Sequence, residues 1–127
     1  MKIIRKGDVK EIEVFPGVVG RILFSSRNMT LFYVEVKPKG VVPMHKHVQE
    51  QMGMCLEGKA EFTAGGRVEP VEPGVAYLVE SDEEHGLRNL GEGEAVFLET
   101  FHPPREDYLK RFGLLNNWKK VCYRRDS

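Results

Sequence analysis

Two histidines one residue apart, His45 and His47, followed by Gln51, give the stretch PMHKHVQEQ (43–51) the makings of a metal site. Alternate side chains of a strand point to one face. An extended segment would therefore aim His45, His47 and Gln51 the same way. Two imidazoles in that arrangement offer adjacent coordination positions, and Gln51 adds a carbonyl oxygen. Glu50 competes with Gln51. Its charge suits a cation, but its parity is wrong for the histidine face unless a β-bulge at 48–50 re-aims it.

A site of this kind needs rigid backbone on several sides, and the chain reads as short strands that could supply it. EIEVFPGVVGRILFSS gives two extended pieces around Pro16-Gly17, and MTLFYVEVKPKG gives a strand ending at Pro38-Lys39-Gly40. Turn signals recur at Glu57-Gly58, Gly65-Gly66, Glu72-Pro73-Gly74, Gly91 and Gly93. That spacing, with no long helical period before position 103, predicts an all-β fold: a small antiparallel barrel or sandwich. After Pro103-Pro104 the pattern changes. REDYLKRFG predicts a short helix that stops near Gly113, and no element is assigned to LLNNWKKVCYRRDS.

The chain is 127 residues long, 41% hydrophobic and 30% charged, which fits one globular domain over 1–127 rather than a disordered chain. Its formal net charge is zero, so nothing calls for a nucleic-acid partner. Charge is uneven, however: residues 105–127 carry +4 and residues 1–104 carry −4. A solvated end or a subunit contact accounts for that. Cys55 and Cys122 fit no zinc-finger or CxxC spacing and read as free thiols. No apolar run is long enough to span a membrane, and MKIIRKGDVKEIEV lacks the apolar stretch of a signal peptide, so a cytoplasmic location is expected. The NMT sequon at 28–30 then reads as chance.

Around the histidines lie spaced glycines. Gly40 precedes His45, and Gly58 follows Gln51. Downstream, Gly74, His85 and Asn89 form a second spaced set. These two motifs resemble those of the cupin family over about residues 30–101. The first motif here is one residue shorter than usual between its glycine and first histidine. Glu80 and Asp82 stand where the second often has proline and glycine, and Gln51 replaces the usual glutamate. The resemblance implies a cupin jelly roll (double-stranded β-helix) with a C-terminal extension from 102. It also implies a divalent transition metal (Zn, Ni, Mn, Fe or Co) held by His45, His47, Gln51 and His85. One or two coordination positions would stay open, as a catalytic metal requires. A homodimer is expected, with residues 1–30 and the C-terminal segment as contact surfaces.

HVQEQMGMCLEG and FHPPREDYL (101–109) narrow the resemblance to the KdgF-type cupins, which linearise 4,5-unsaturated monouronates. By that resemblance Glu99, Phe101 and Arg105 complete the site, with Glu99 in place of the family's aspartate. Glu99 would be the acid–base carboxylate, and Phe101 would cover an apolar ring face. Arg105 would contribute to catalysis by presenting its planar fork to the substrate carboxylate. Plainer roles exist for each: an outward polar group for Glu99, core for Phe101, a salt bridge to Glu106 or Asp107 for Arg105. The implied function is metal-assisted lyase or isomerase chemistry on a small sugar acid. An iron-dependent dioxygenase and a non-catalytic small-acid-binding cupin are the alternatives.

Overall fold

A computed structural model describes residues 1–114. After a 3-10 turn at Lys6–Asp8 come ten strands: β1 (Glu11–Phe15), β2 (Val18–Ser25), β3 (Thr30–Val36), β4 (Val41–His45), β5 (Glu50–Glu57), β6 (Ala60–Ala64), β7 (Arg67–Val71), β8 (Ala76–Val79), β9 (His85–Asn89) and β10 (Ala95–His102). One helix follows, α1 (Glu106–Arg111). The strands form a six-stranded sheet in the order β1-β2-β3-β10-β5-β8 and a four-stranded sheet in the order β4-β9-β6-β7. Every pairing between them is antiparallel. This is the expected all-β jelly roll, with its core between the two sheets.

Strict alternation builds that core. In β3, Thr30, Phe32, Val34 and Val36 are buried while Leu31, Tyr33 and Glu35 face outward. In β10, Phe97, Glu99 and Phe101 point inward. Phe32, Phe97 and Phe101 are among the largest fully buried side chains. Phe32 also requires a gap in the neighbouring strand: a Cβ on Gly20 would lie 2.1 Å from its Cζ. Gly20→Ala is therefore expected to overpack the core and cost about 1–3 kcal/mol, read as a lower denaturation midpoint at unchanged m-value.

Helix α1 closes one end of the sandwich. It has Glu106 and Asp107 in its first turn and Lys110 and Arg111 in its last, matching the helix dipole. Tyr108 and Leu109 are buried, and Tyr108 packs on Phe32 at 5.0 Å between ring centroids. The chain leaves the helix at Gly113, whose φ of 74° suits a left-handed C-terminal residue.

One local expectation is corrected. Residues 43–51 are not one extended segment. Strand β4 stops at His45 in the four-stranded sheet, and β5 starts at Glu50 in the six-stranded sheet. Residues 46–49 carry the chain across, so His47 sits on the bend. The crossing is tied down by Asp82 N–H donating to His47 O at 2.8 Å and Ser81 Oγ donating to Val48 O at 2.6 Å. Residues 115–127, including Cys122 and most of the basic C-terminal segment, lie outside the described residues.

Candidate metal centre

The bend brings three histidines together. His45 ends β4 directly opposite His85 at the start of β9, and His47 approaches from the crossing. Ring centroids are 4.4 Å apart for His45–His85 and 4.8 Å for His47–His85. One candidate ligand atom from each ring lies within 4.8 Å of the other two. Each ring is oriented by a backbone carbonyl two residues away. His45 Nδ1 is 2.7 Å from Pro43 O, His47 Nδ1 is 3.0 Å from Gln49 O, and His85 Nδ1 is 2.8 Å from Glu83 O. A carbonyl only accepts, so each Nδ1 carries a proton, and in the neutral ring that leaves the lone pair on Nε2. His85 Nε2 is buried and has no hydrogen-bond partner.

Gln51 faces these rings from β5. It is buried, whereas Glu50 is exposed, so alternation within β5, which also turns Gly53 and Cys55 inward, decides which of the two looks inward. Gln51 Oε1 lies 3.2 Å from His47 Nε2. With the proton on Nδ1, that contact sets two lone pairs against each other, an arrangement that a nearby cation would relieve. Three neutral imidazole nitrogens and an amide oxygen, each imidazole braced on its far side, match the chemistry of a first-row divalent ion.

The other face of Gln51 meets Glu99. Gln51 Nε2 donates to Glu99 Oε2 at 2.8 Å, and the Tyr77 hydroxyl donates to the same oxygen. Glu99 is thus an inward, buried carboxylate. Burial raises its pKa, opposed by the Tyr77 and Gln51 hydrogen bonds and by the charge of Arg105. Burial, with Glu99 alongside, also pushes the Tyr77 hydroxyl well above its ordinary value. Sequence reasoning missed Tyr77. Its signal was alternation with Val79 on β8, opposite a glycine, Gly53, on β5.

Arg105 is buried, and both expectations for it meet here. Its Nε and Nη2 donate to the two carboxylate oxygens of Asp107 at 2.9 and 2.8 Å, while its side chain lines the central cavity. The guanidinium stacks 3.7 Å from the Tyr108 ring centroid and 4.6 Å from that of Phe101. Burial alone would lower its pKa, but the Asp107 bonds outweigh that and raise it. Phe101 belongs both to the core and to the cavity wall. His102 is exposed and bonds Asn28 O. Cys55 is free and buried, with its thiol directed to Glu57 O at 3.3 Å.

The cavity joins His45, Gln51, His85, Glu99, Phe101 and Arg105. It encloses about 470 Å³ including its open mouth. That suits a small ligand. Burial, then the charges of Arg105 and the neighbouring imidazoles, lowers the pKa of His47 to about 4. His85 is lowered as well, chiefly by burial. The unfolded chain therefore takes up a proton at His47 between pH 6.5 and about 4 that the folded chain refuses. Its contribution to stability declines as pH falls through that window, while Glu99, shifted upward, works the other way. In the metal-free protein, the His47 imidazole proton resonances are expected to titrate near pH 4 and stay flat between pH 6 and 7.

An antiparallel jelly roll with three clustered histidines that could hold a metal ion defines a class of small β-barrels. A cupin-domain family model matches residues 32–101, and the chain belongs to the cupin family. It is 35% identical over 71 residues to the H2HPP isomerase of Bacillus subtilis, covering 56% of this chain and 30% of that protein. The chain thus spans under a third of that relative's length. It is 29% identical over 98 residues to the pectin degradation protein KdgF of Dickeya dadantii (strain 3937), covering 76% of this chain and 88% of that protein. Among solved structures, KdgF from Halomonas sp. superposes with a TM-score of 0.79 at 23% identity, covering 86% of this chain and 99% of that one. No helix among the described residues is long and apolar enough to cross a membrane.

Proposed function

We propose that this cupin is a metal-dependent enzyme that linearises a 4,5-unsaturated monouronate to its 5-keto-4-deoxyuronate. The observation that carries this reading is a convergence in one cavity. Three imidazoles bring ligand atoms within 4.8 Å of one another, the Gln51 carbonyl lies 3.2 Å from one of them, a buried carboxylate at Glu99 bonds the Gln51 amide, and Arg105 is in the cavity wall. The likeness to KdgF over most of both chains supports a uronate as substrate.

The reaction is an isomerisation. The proton of the C1 hydroxyl leaves, the C1–O5 bond breaks with its electron pair going to O5, and the resulting C4=C5 enol takes a proton at C4 to become a 5-ketone. A carboxylate that exchanges a proton with C1–OH or C4 is needed. Glu99 is placed for it, and its raised pKa brings it nearer the working range of a general acid–base. Phe101 and the surrounding apolar wall exclude water from the enol. Arg105 draws the substrate carboxylate, which must share the guanidinium with Asp107. A divalent ion held by His45, His47, His85 and Gln51 supplies Lewis acidity toward a substrate oxygen when bound. With four neutral ligands such a site retains its full positive charge, which favours an anionic substrate over the two-histidine, one-carboxylate chemistry of oxygen activation.

The test is optical. The C4=C5 bond is conjugated with the carboxylate, so turnover removes its ultraviolet absorbance. Metal-loaded protein is expected to bleach 4,5-unsaturated galacturonate or mannuronate and to stop after chelation. Unchanged absorbance with metal confirmed in the sample would rule out both uronates as substrates.

A further inference from the structure

A glutamine side chain is nearly symmetric in shape, so something must decide whether its oxygen or its NH2 faces the imidazoles. In this chain the deciding contacts lie on the far side of Gln51. Its Nε2 donates to Glu99 Oε2 at 2.8 Å, and the Tyr77 hydroxyl donates to that same oxygen. An oxygen already receiving the Tyr77 proton is held in the role of acceptor, so the group it meets on Gln51 must be the NH2. The carbonyl is thereby turned toward His47 Nε2, at 3.2 Å.

Strand register makes the contact possible. Gly53 of β5 sits between Tyr77 of β8 and Glu99 of β10, paired directly with each. A Cβ at Gly53 would lie 2.6 Å from the Tyr77 oxygen, 2.7 Å from its Cζ and 3.0 Å from Glu99 Cγ. The missing side chain lets the tyrosine reach across one strand to the carboxylate.

We infer that Tyr77 is a positioning residue: acting through Glu99 across Gly53, it fixes the Gln51 amide with its carbonyl toward the three histidines. The inference rests on the metal-centre part of the proposed function and not on the uronate. A flipped amide would point N–H donors at His47 Nε2, filling the lone pair that a cation needs. Tyr77 thus reinforces Gln51 as a ligand, although it touches no ligand position itself.

The experiment is a double-mutant cycle read by metal binding. Zn2+ and Co2+ affinities are measured by chelator competition for the full chain, Tyr77→Phe, Gln51→Ala and the double variant, with the visible Co2+ spectrum recorded for each. Tyr77→Phe is expected to weaken binding by about 10- to 100-fold, the usual effect of losing an outer hydrogen bond on a ligand. Its Co2+ spectrum is expected to move toward that of Gln51→Ala, and to add nothing in the Gln51→Ala background. Gly53→Ala, which displaces the same tyrosine from the opposite direction, should reproduce the shift and serves if Tyr77→Phe does not fold. Wild-type affinity and spectrum in Tyr77→Phe, or full additivity with Gln51→Ala, would overturn the inference. Failure of the wild-type chain to bind either metal would overturn the metal reading and this inference with it, whereas binding without uronate turnover leaves the cycle decisive.

Discussion

Replacing His85 with alanine is expected to abolish uronate turnover while leaving the metal-free protein about as stable as before. Two effects of opposite sign meet at this residue. The side chain is buried and its ring lies parallel to Phe62, 6.3 Å between centroids, so truncation loses packing. The same side chain carries a buried Nε2 with no partner, and removing an unsatisfied buried group returns about 1–3 kcal/mol. What the variant loses is the increment that depends on the ion. A ligand that binds only the folded state adds about 4 kcal/mol at a concentration a thousandfold above its Kd. Thermal unfolding with and without added Zn2+ should show that increment in the wild-type chain and not in His85→Ala. A variant that is still stabilised by metal to the full extent would remove His85 from the ligand set.

Glu99→Gln is expected to lower kcat by about 10²–10⁴-fold, the range of a lost general acid–base, with a much smaller effect on metal affinity. The amide is nearly isosteric. Its oxygen can occupy the place of Oε2 and still accept from Tyr77 and Gln51, so the orientation of Gln51 survives while the transferable proton does not. Glu99→Asp should reverse that pattern. It keeps a carboxylate but withdraws it by one methylene from both donors, so metal affinity falls more than in Glu99→Gln. Steady-state kinetics alongside metal titration of the two variants separates chemistry from positioning. Unchanged kcat in Glu99→Gln would leave Glu99 as a support for Gln51 alone.

Features set by local sequence were legible before the structure. Turn residues at regular spacing marked the strands, and the period-two alternation of β10 put Glu99 and Phe101 on one face. Parity counted from the histidines also favoured Gln51 over Glu50, and the choice holds although the chain is broken between them. Less legible was whatever depends on where distant strands lie. The break at 46–49 arises because β4 and β5 belong to different sheets, and nothing in HKHVQEQ announces a change of sheet. Tyr77 was missed because its partner is 22 residues away and on a strand it does not adjoin. Arg105 was left between a substrate carboxylate and a salt bridge, because geometry at the start of α1, not sequence distance, selects Asp107 over Glu106.

The gap at Gly53 also bears on how this barrel can change over generations. Tyr77, Gly53 and Glu99 lie in one row across three strands, and a change of size at 53 or 99 breaks the contact between the other members. A side chain at 53 evicts the tyrosine, and a shorter acid at 99 abandons it. Descendants should therefore inherit the three as a block or exchange them together. A barrel with aspartate in place of Glu99 would be released from the need for glycine at 53 and tyrosine at 77. The row is a unit of heredity spread over 47 positions of sequence.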